Sequence, residues 1–289
     1  MKNLTRRIML AAAAAGTIGI AAPAFAQDTL QARKDSGKVT VGIHNRRPWG
    51  FRTEEGEVAG FHPDLVREAL EPMGITEIDF VVTEFGALIP GLMARRFDMI
   101  ASGIAVTPER CKQVLFSEPD LSVVDAIIVQ KGNPLEIHSF QDIIDNPDIT
   151  LAGGRGTLNT KHAIESGIPE DQIEQYPSGQ ETLSAVMAGR ADASVMSAPT
   201  ATQLLEDPKL ADLERATPFA GLEREDGTQV AMYTAIAFRP ADTELEEAYD
   251  ARLAEMKEAG MVTEIMERYG FAEDDMAPSF STEKICAGI

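Results

Sequence analysis

Apolar and polar positions along this chain alternate between short continuous runs and striped segments, and they do so twice. "VTVGI" (39–43) is an apolar run of strand length. "HPDLVREALEPMG" then puts Leu65, Ala69 and Met73 on one helical stripe. "IDFVVTE" reads as a strand and "FGALIPGLMARRF" as a helix that Pro90 and Gly91 kink or delay. "DMIASGIAV" is a strand that runs into Thr107-Pro108-Glu109-Arg110, a helix start with Thr as N-cap and Pro at the first helical position. "DAIIVQKG" (125–132) is a strand closed by Gly132-Asn133-Pro134.

A second set follows. "SFQDII" opens a helix at Ser139, "ITLAGG" is a strand, and Thr157 caps a helix after Gly153-Gly154-Arg155-Gly156. Ser178 with Glu181 forms a capping box before Leu183, Val186 and Met187. "ADASVMS" and "VAMYTAIAFRP" (230–240) read as strands. Helices at about 242–258 and 261–269 come next, the first striped by Leu245, Tyr249, Leu253 and Met256. The tail to Ile289 has no strong period.

Strands alternating with helices predict an α/β fold with largely parallel sheets. Two such sets predict two lobes that the chain crosses between twice. The expected division is 27–130 with 236–289 in lobe 1, and 131–235 in lobe 2. Ligands in open α/β sheets bind beyond the carboxyl ends of strands. Thr107–Arg110 in one lobe and Gly156-Thr157 in the other occupy that position, so facing lobes would bring both to one cleft.

The first 26 residues stand apart. Lys2, Arg6 and Arg7 precede an apolar, alanine-rich stretch from Ile8 to Ala22, and Ala24-Phe25-Ala26 is an A-x-A cleavage pattern. This is the pattern of a secretory signal peptide cut after Ala26. The apolar run of about 15 residues is shorter than the roughly 20 a spanning helix needs. Thr5-Arg6-Arg7-Ile8-Met9-Leu10 also resembles a twin-arginine signal, which leaves two export routes open. Removing the segment takes away three basic and no acidic residues, so a formal net charge of −20 becomes −23. Such a charge argues against nucleic acid or an anionic membrane as partner.

Little in the sequence suggests catalysis. There is no G-x-S-x-G, and no acid–base pair stands out among 46 acidic residues. His44, His62, His138 and His162 are scattered without metal-ligand spacing, so no metal or cofactor is expected. Arg110 offers a planar fork suited to a carboxylate, at a helix start whose free N–H groups favour anions. Gly153-Gly154-Arg155-Gly156-Thr157 lacks the lysine of a P-loop and the spacing of a dinucleotide fingerprint. In an exported chain Cys111 and Cys286, its only cysteines, are candidates for a disulfide.

"GFHPDLVREAL", "TEFGALIPGLMARRFDMIASG", "TPERCKQVLFSEP", "GRGT", "AGRADASV" and "RYGF" together resemble the amino-acid-type periplasmic solute-binding proteins of ABC importers. Within that family "PERC", "GNPLEIHSFQDI", "TEFGALIPGL" and "STEKICA" look most similar to the ectoine and hydroxyectoine binders. The resemblance implies two α/β lobes joined by two hinge strands (the type II binding-protein fold). It implies a periplasmic, non-catalytic monomer that captures a small carboxylated solute for an inner-membrane permease. A dehydratase on the same fold is the alternative from another class.

Residue by residue, the resemblance makes Arg110 the carboxylate clamp and Thr157, with Gly156, its partner on the second lobe. Trp49 and Phe85 match aromatic walls, and Gly103, Ala105, Arg46 and Ser197 match further ligand positions. Cys111 and Cys286 match cysteines of the ectoine-type subgroup, which implies a disulfide tying the tail to lobe 1. Departures accompany these matches. The family places acidic residues at the positions of Arg46 and Ser197 to meet a ligand ammonium, and ectoine binders share only the second departure. Ala105 stands where an ectoine binder has another aromatic. Arg46 with Arg110 would instead suit a solute with two acidic groups.

Overall fold

Each sheet is apolar on both faces because successive strand residues feed different clusters, the pattern of a sheet covered on both sides. Along Met99–Ala105, Met99, Ala101 and Ala105 join one cluster while Ile100 and Ile104 join the other. Along Asp125–Gln130, Ile127 and Val129 face one way and Ala126 and Ile128 the other. A computed structural model of the protein describes residues 29–224, 229–278 and 281–288. The expected signal segment, with its cleavage site and twin arginines, lies outside the described residues.

In the first lobe Lys38–Ile43 pairs in parallel with Glu77–Val82 and Met99–Ala105. Met232–Phe238 runs antiparallel to Met99–Ala105, and the short strands Leu115–Phe116 and Leu121–Val123 pair with its other edge. The second sheet follows the order 173–176, 151–154, 193–197, 125–130, 213–215. Its first three strands are parallel, and Asp125–Gln130 is antiparallel to both its neighbours. The sheets are therefore mixed rather than largely parallel. The strand that enters each sheet from the other lobe comes in from the opposite end, so it must run against its neighbour.

Strand pairing also corrects the expected division of the chain. Asp125–Gln130 belongs to the second sheet, not to lobe 1, and Met232–Phe238 belongs wholly to the first. The crossings thus fall at Val124 and just before Met232. An apolar run shows where a strand is, but not which neighbours will bond to it.

Helix starts follow the sequence closely. Thr107, Ser139, Thr157 and Ser178 all accept from a backbone N–H three residues on. Ser178 Oγ also donates to the Glu181 carboxylate, at 2.8 Å. Leu245, Tyr249, Leu253 and Met256 are buried as one stripe of Thr243–Glu258. Pro90 delays its helix: a 3-10 turn at Phe85–Ala87 precedes Leu88–Met93. The tail, patternless in sequence, forms a helix at Thr282–Cys286, and Cys286 is joined to Cys111 by a disulfide. Ile285 packs there with Val106, Val114 and Phe116, so the tail braces the short helix that carries Arg110.

Candidate functional site

Arg110 lies in the first turn of Pro108–Cys111, immediately after Met99–Ala105. Its Nη1 donates to the Ala105 carbonyl at 2.7 Å. Its Nη2 donates across the lobes to the Gly156 carbonyl at 3.0 Å. A guanidinium has five N–H donors, so the fork keeps donors in reserve for an anion. Burial lowers its pKa to about 10, which leaves it charged at neutral pH. Among the described residues no carboxylate pairs with it.

Phe85 forms a wall that two cations contact. The Arg110 guanidinium carbon sits 5.6 Å from the ring centre and that of Arg46 sits 5.5 Å from it. Arg46 is placed by a tight turn after Lys38–Ile43, in which its carbonyl accepts from the N–H groups of Trp49 and Gly50. Its Nε is buried without a hydrogen-bond partner, and desolvation pulls its pKa down to about 10. His44, edge-on to Phe85, donates from Nδ1 to the Thr83 carbonyl. Burial, with the positive charge of Arg46 beside it, lowers its pKa to about 4, so it is neutral at neutral pH.

Trp49 is only 1% exposed, yet it lines the cleft with one edge. It stacks on His62 and meets Phe271 edge-on. His62 Nδ1 accepts from the Gly103 N–H at 2.8 Å, which makes Nε2 the donor to Asp120 at 3.0 Å. Gly103 has φ +62°, and a Cβ there would lie 2.4 Å from the indole, so only glycine fits. Core packing and the cleft therefore both use this tryptophan. Across the cleft its Nε1–H donates to Thr200 Oγ1 at 2.9 Å, and Thr200 shares a hydrogen bond with Ser197.

The second lobe presents smaller groups. The Thr157 hydroxyl donates to the Gly154 carbonyl at 2.9 Å and caps its own helix. Gly156 approaches Gly86 of the first lobe closely: a Cβ on Gly156 would lie 3.5 Å from Gly86 Cα. Asn159 reaches the hinge, donating to Asp125 Oδ1 at 2.7 Å and contacting Met232 Sδ at 3.3 Å. Asp125 also pairs with His162 at 2.7 Å. The resulting cleft, about 310 Å³ including space open to solvent, is lined by Arg46, Trp49, Phe85, Gly103, Ala105, Arg110, Thr157 and Ser197. Gly156 alone of the expected set contributes through its carbonyl and not through the wall.

Residues 39–273 match the family model of the bacterial extracellular solute-binding proteins, family 3. The chain belongs to this family. A probable amino-acid ABC transporter periplasmic-binding protein from Sinorhizobium fredii is 34% identical over 95% of this chain and 91% of its own length. EhuB in complex with hydroxyectoine superposes with a TM-score of 0.81 at 34% identity, covering 91% of this chain and 99% of that one. An ancestral amino-acid-binding protein, described as a precursor of cyclohexadienyl dehydratase, gives 0.73 at 29% identity, over 83% and 99%. The chain is thus a solute-binding protein of an amino-acid-type ABC importer, with the type II two-lobed fold.

As a family 3 solute-binding protein it adds cleft residues that the sequence did not single out. Val123, Leu158, Asn159, Met232 and Thr234 line the same cleft, and His44 and Thr200 line its extension of about 380 Å³. Asn159 sits two residues past the Thr157 cap, in the first turn of the same helix. Val123, Met232 and Thr234 come from the hinge strands, which the apolar pattern shows only as buried.

Proposed function

We propose that this solute-binding protein captures a small carboxylated solute in the periplasm and hands it to its membrane permease. One observation carries the reading: Arg110 touches both lobes while lining the cleft. A carboxylate held by its fork lies against Thr157 and the Gly156 backbone only when the lobes meet. Bound solute then favours the closed form through contacts the open form lacks.

The protein acts as a monomer, exported by an N-terminal signal cut after Ala26. Ectoine and hydroxyectoine define the size class, given the neighbour that carries hydroxyectoine; other zwitterions, opines and dicarboxylates complete the screen. Among the described residues no acid lines the cleft, which supports a carrier over a dehydratase. Turnover of prephenate by the purified protein would reverse that choice.

The test is a thermal-shift screen followed by calorimetry. A solute at a hundred times its dissociation constant raises stability by about 2.7 kcal/mol. Arg110→Ala should weaken the best solute by about 3 kcal/mol, roughly a hundredfold, because charge-assisted hydrogen bonds are lost. Unchanged affinity in that variant removes Arg110 from the site.

A further inference from the structure

Forty-six acidic residues crowd this chain, yet among the described residues none of them lines the cleft, its extension or the outer groove beside them. Arginines do. Arg46 borders all three spaces, Arg110 the inner cleft, Arg155 the extension, and Arg47 and Arg52 the outer groove of about 480 Å³. A positive path therefore leads inward through a protein whose overall charge repels anions.

Two facts bear on what sits at its end. Among the described residues a solute ammonium or amidinium would find no carboxylate in the cleft to meet it, and an unpaired buried cation is costly. The aromatic ring that offers a cation–π contact is also taken: Arg46 and Arg110 both already lie against Phe85. Both guanidinium carbons lie within 5.6 Å of the ring centre, which limits their separation to at most twice that distance. One short molecule can span them. The Arg46 guanidinium makes no hydrogen bond or ion pair with any described residue, and its Nε is buried and unpartnered. Its turn is fixed by backbone hydrogen bonds, so the guanidinium is held facing the cleft and not left to seek solvent.

We propose that the solute is a dianion with two acidic groups, one on Arg110 and one on Arg46, and no fixed positive charge. This rests on the reading that Arg110 holds a carboxylate, and it adds the second anchor. A dianion neutralises both guanidiniums at once and shares their desolvation, which a zwitterion of the amino-acid type does for only one.

Calorimetry with the full mature chain tests it, using succinate and glutarate, their monomethyl esters, ectoine, and the amino acids histidine and arginine as probes. At least one dicarboxylate should bind ten-fold or more tighter than its monoester and than every zwitterion. Arg46→Gln should erase the diacid–monoester difference, while Arg110→Gln should lower the affinity of both. If a zwitterion binds tightest and Arg46→Gln leaves it unweakened, the second anchor is wrong while the carboxylate clamp stands. If no carboxylated probe binds, or binding survives Arg110→Gln, the clamp falls and the dianion with it.

Discussion

The two walls of the cleft are built from different chemistry. The first lobe supplies two guanidiniums, an indole, a phenyl ring and a neutral imidazole. The second supplies hydroxyls, an amide and backbone carbonyls, with a single guanidinium, Arg155, at the extension. Each lobe also contains a buried histidine–aspartate pair, and the pairs serve different ends. His62–Asp120 holds Gly103 and so seats Trp49 in the first wall. His162–Asp125 anchors Asn159 where the chain crosses between lobes. Under the proposed function this difference divides the tasks: the first lobe would select charge with side chains held by its core, and the second would report closure with mostly small groups.

Removing the brace of the first wall tests this division most forcefully. The disulfide closes a separation of 175 residues and ends on the residue next to Arg110. Cys286→Ser should destabilise the protein by about 2–5 kcal/mol. Denaturant titration of the variant beside the wild type reads this directly, and equal midpoints would show that the tail does not brace the lobe.

Acid should act on the first wall at His44. Its pKa falls from 6.5 in the unfolded chain to about 4 in the fold, so the unfolded state binds more protons between those values. Stability contributed by the neutral ring is therefore complete above about pH 6.5 and declines as pH falls toward 4. The loss from this one residue is about 3 kcal/mol. Comparing wild type with His44→Gln across that window isolates it: the variant should show a flatter pH dependence.

The smallest expected effect belongs to the second wall. Thr200→Val takes away the acceptor for the Trp49 indole N–H across the cleft. Affinity for the bound solute should drop by about 1 kcal/mol with the solute preference unchanged. Trp49 is the only tryptophan, so its fluorescence reports the same event. A change in which solute is preferred would mean that the second lobe also selects.

Much of this site was visible in the chain. Thr107-Pro108-Glu109-Arg110 fixes a helix start by local chemistry, and the four hydroxyl caps formed where the sequence put them. Arg110, Trp49, Phe85, Ala105, Arg46 and Ser197 all reach one cleft. What the pattern missed depends on contacts far apart in sequence. Met187, read as part of an apolar stripe, is 48% exposed because its helix ends there and turns the side chain outward. Thr200 gained a role only because Trp49, 151 residues earlier, points at it.

The sequence by itself determined the alternation of strands and helices, the helix starts, the membership of the family and the excess of arginine over acid at the positions that line the cleft. These rest on local backbone preferences and on residue identity, which travel with the chain. Tertiary structure decided which sheet owns Asp125–Gln130 and Met232–Phe238, and that Phe85 meets two guanidiniums. It also left Arg46 in the cleft without a carboxylate partner among the described residues. Those outcomes depend on strand register and lobe contact, where groups distant in sequence meet and their charges are summed.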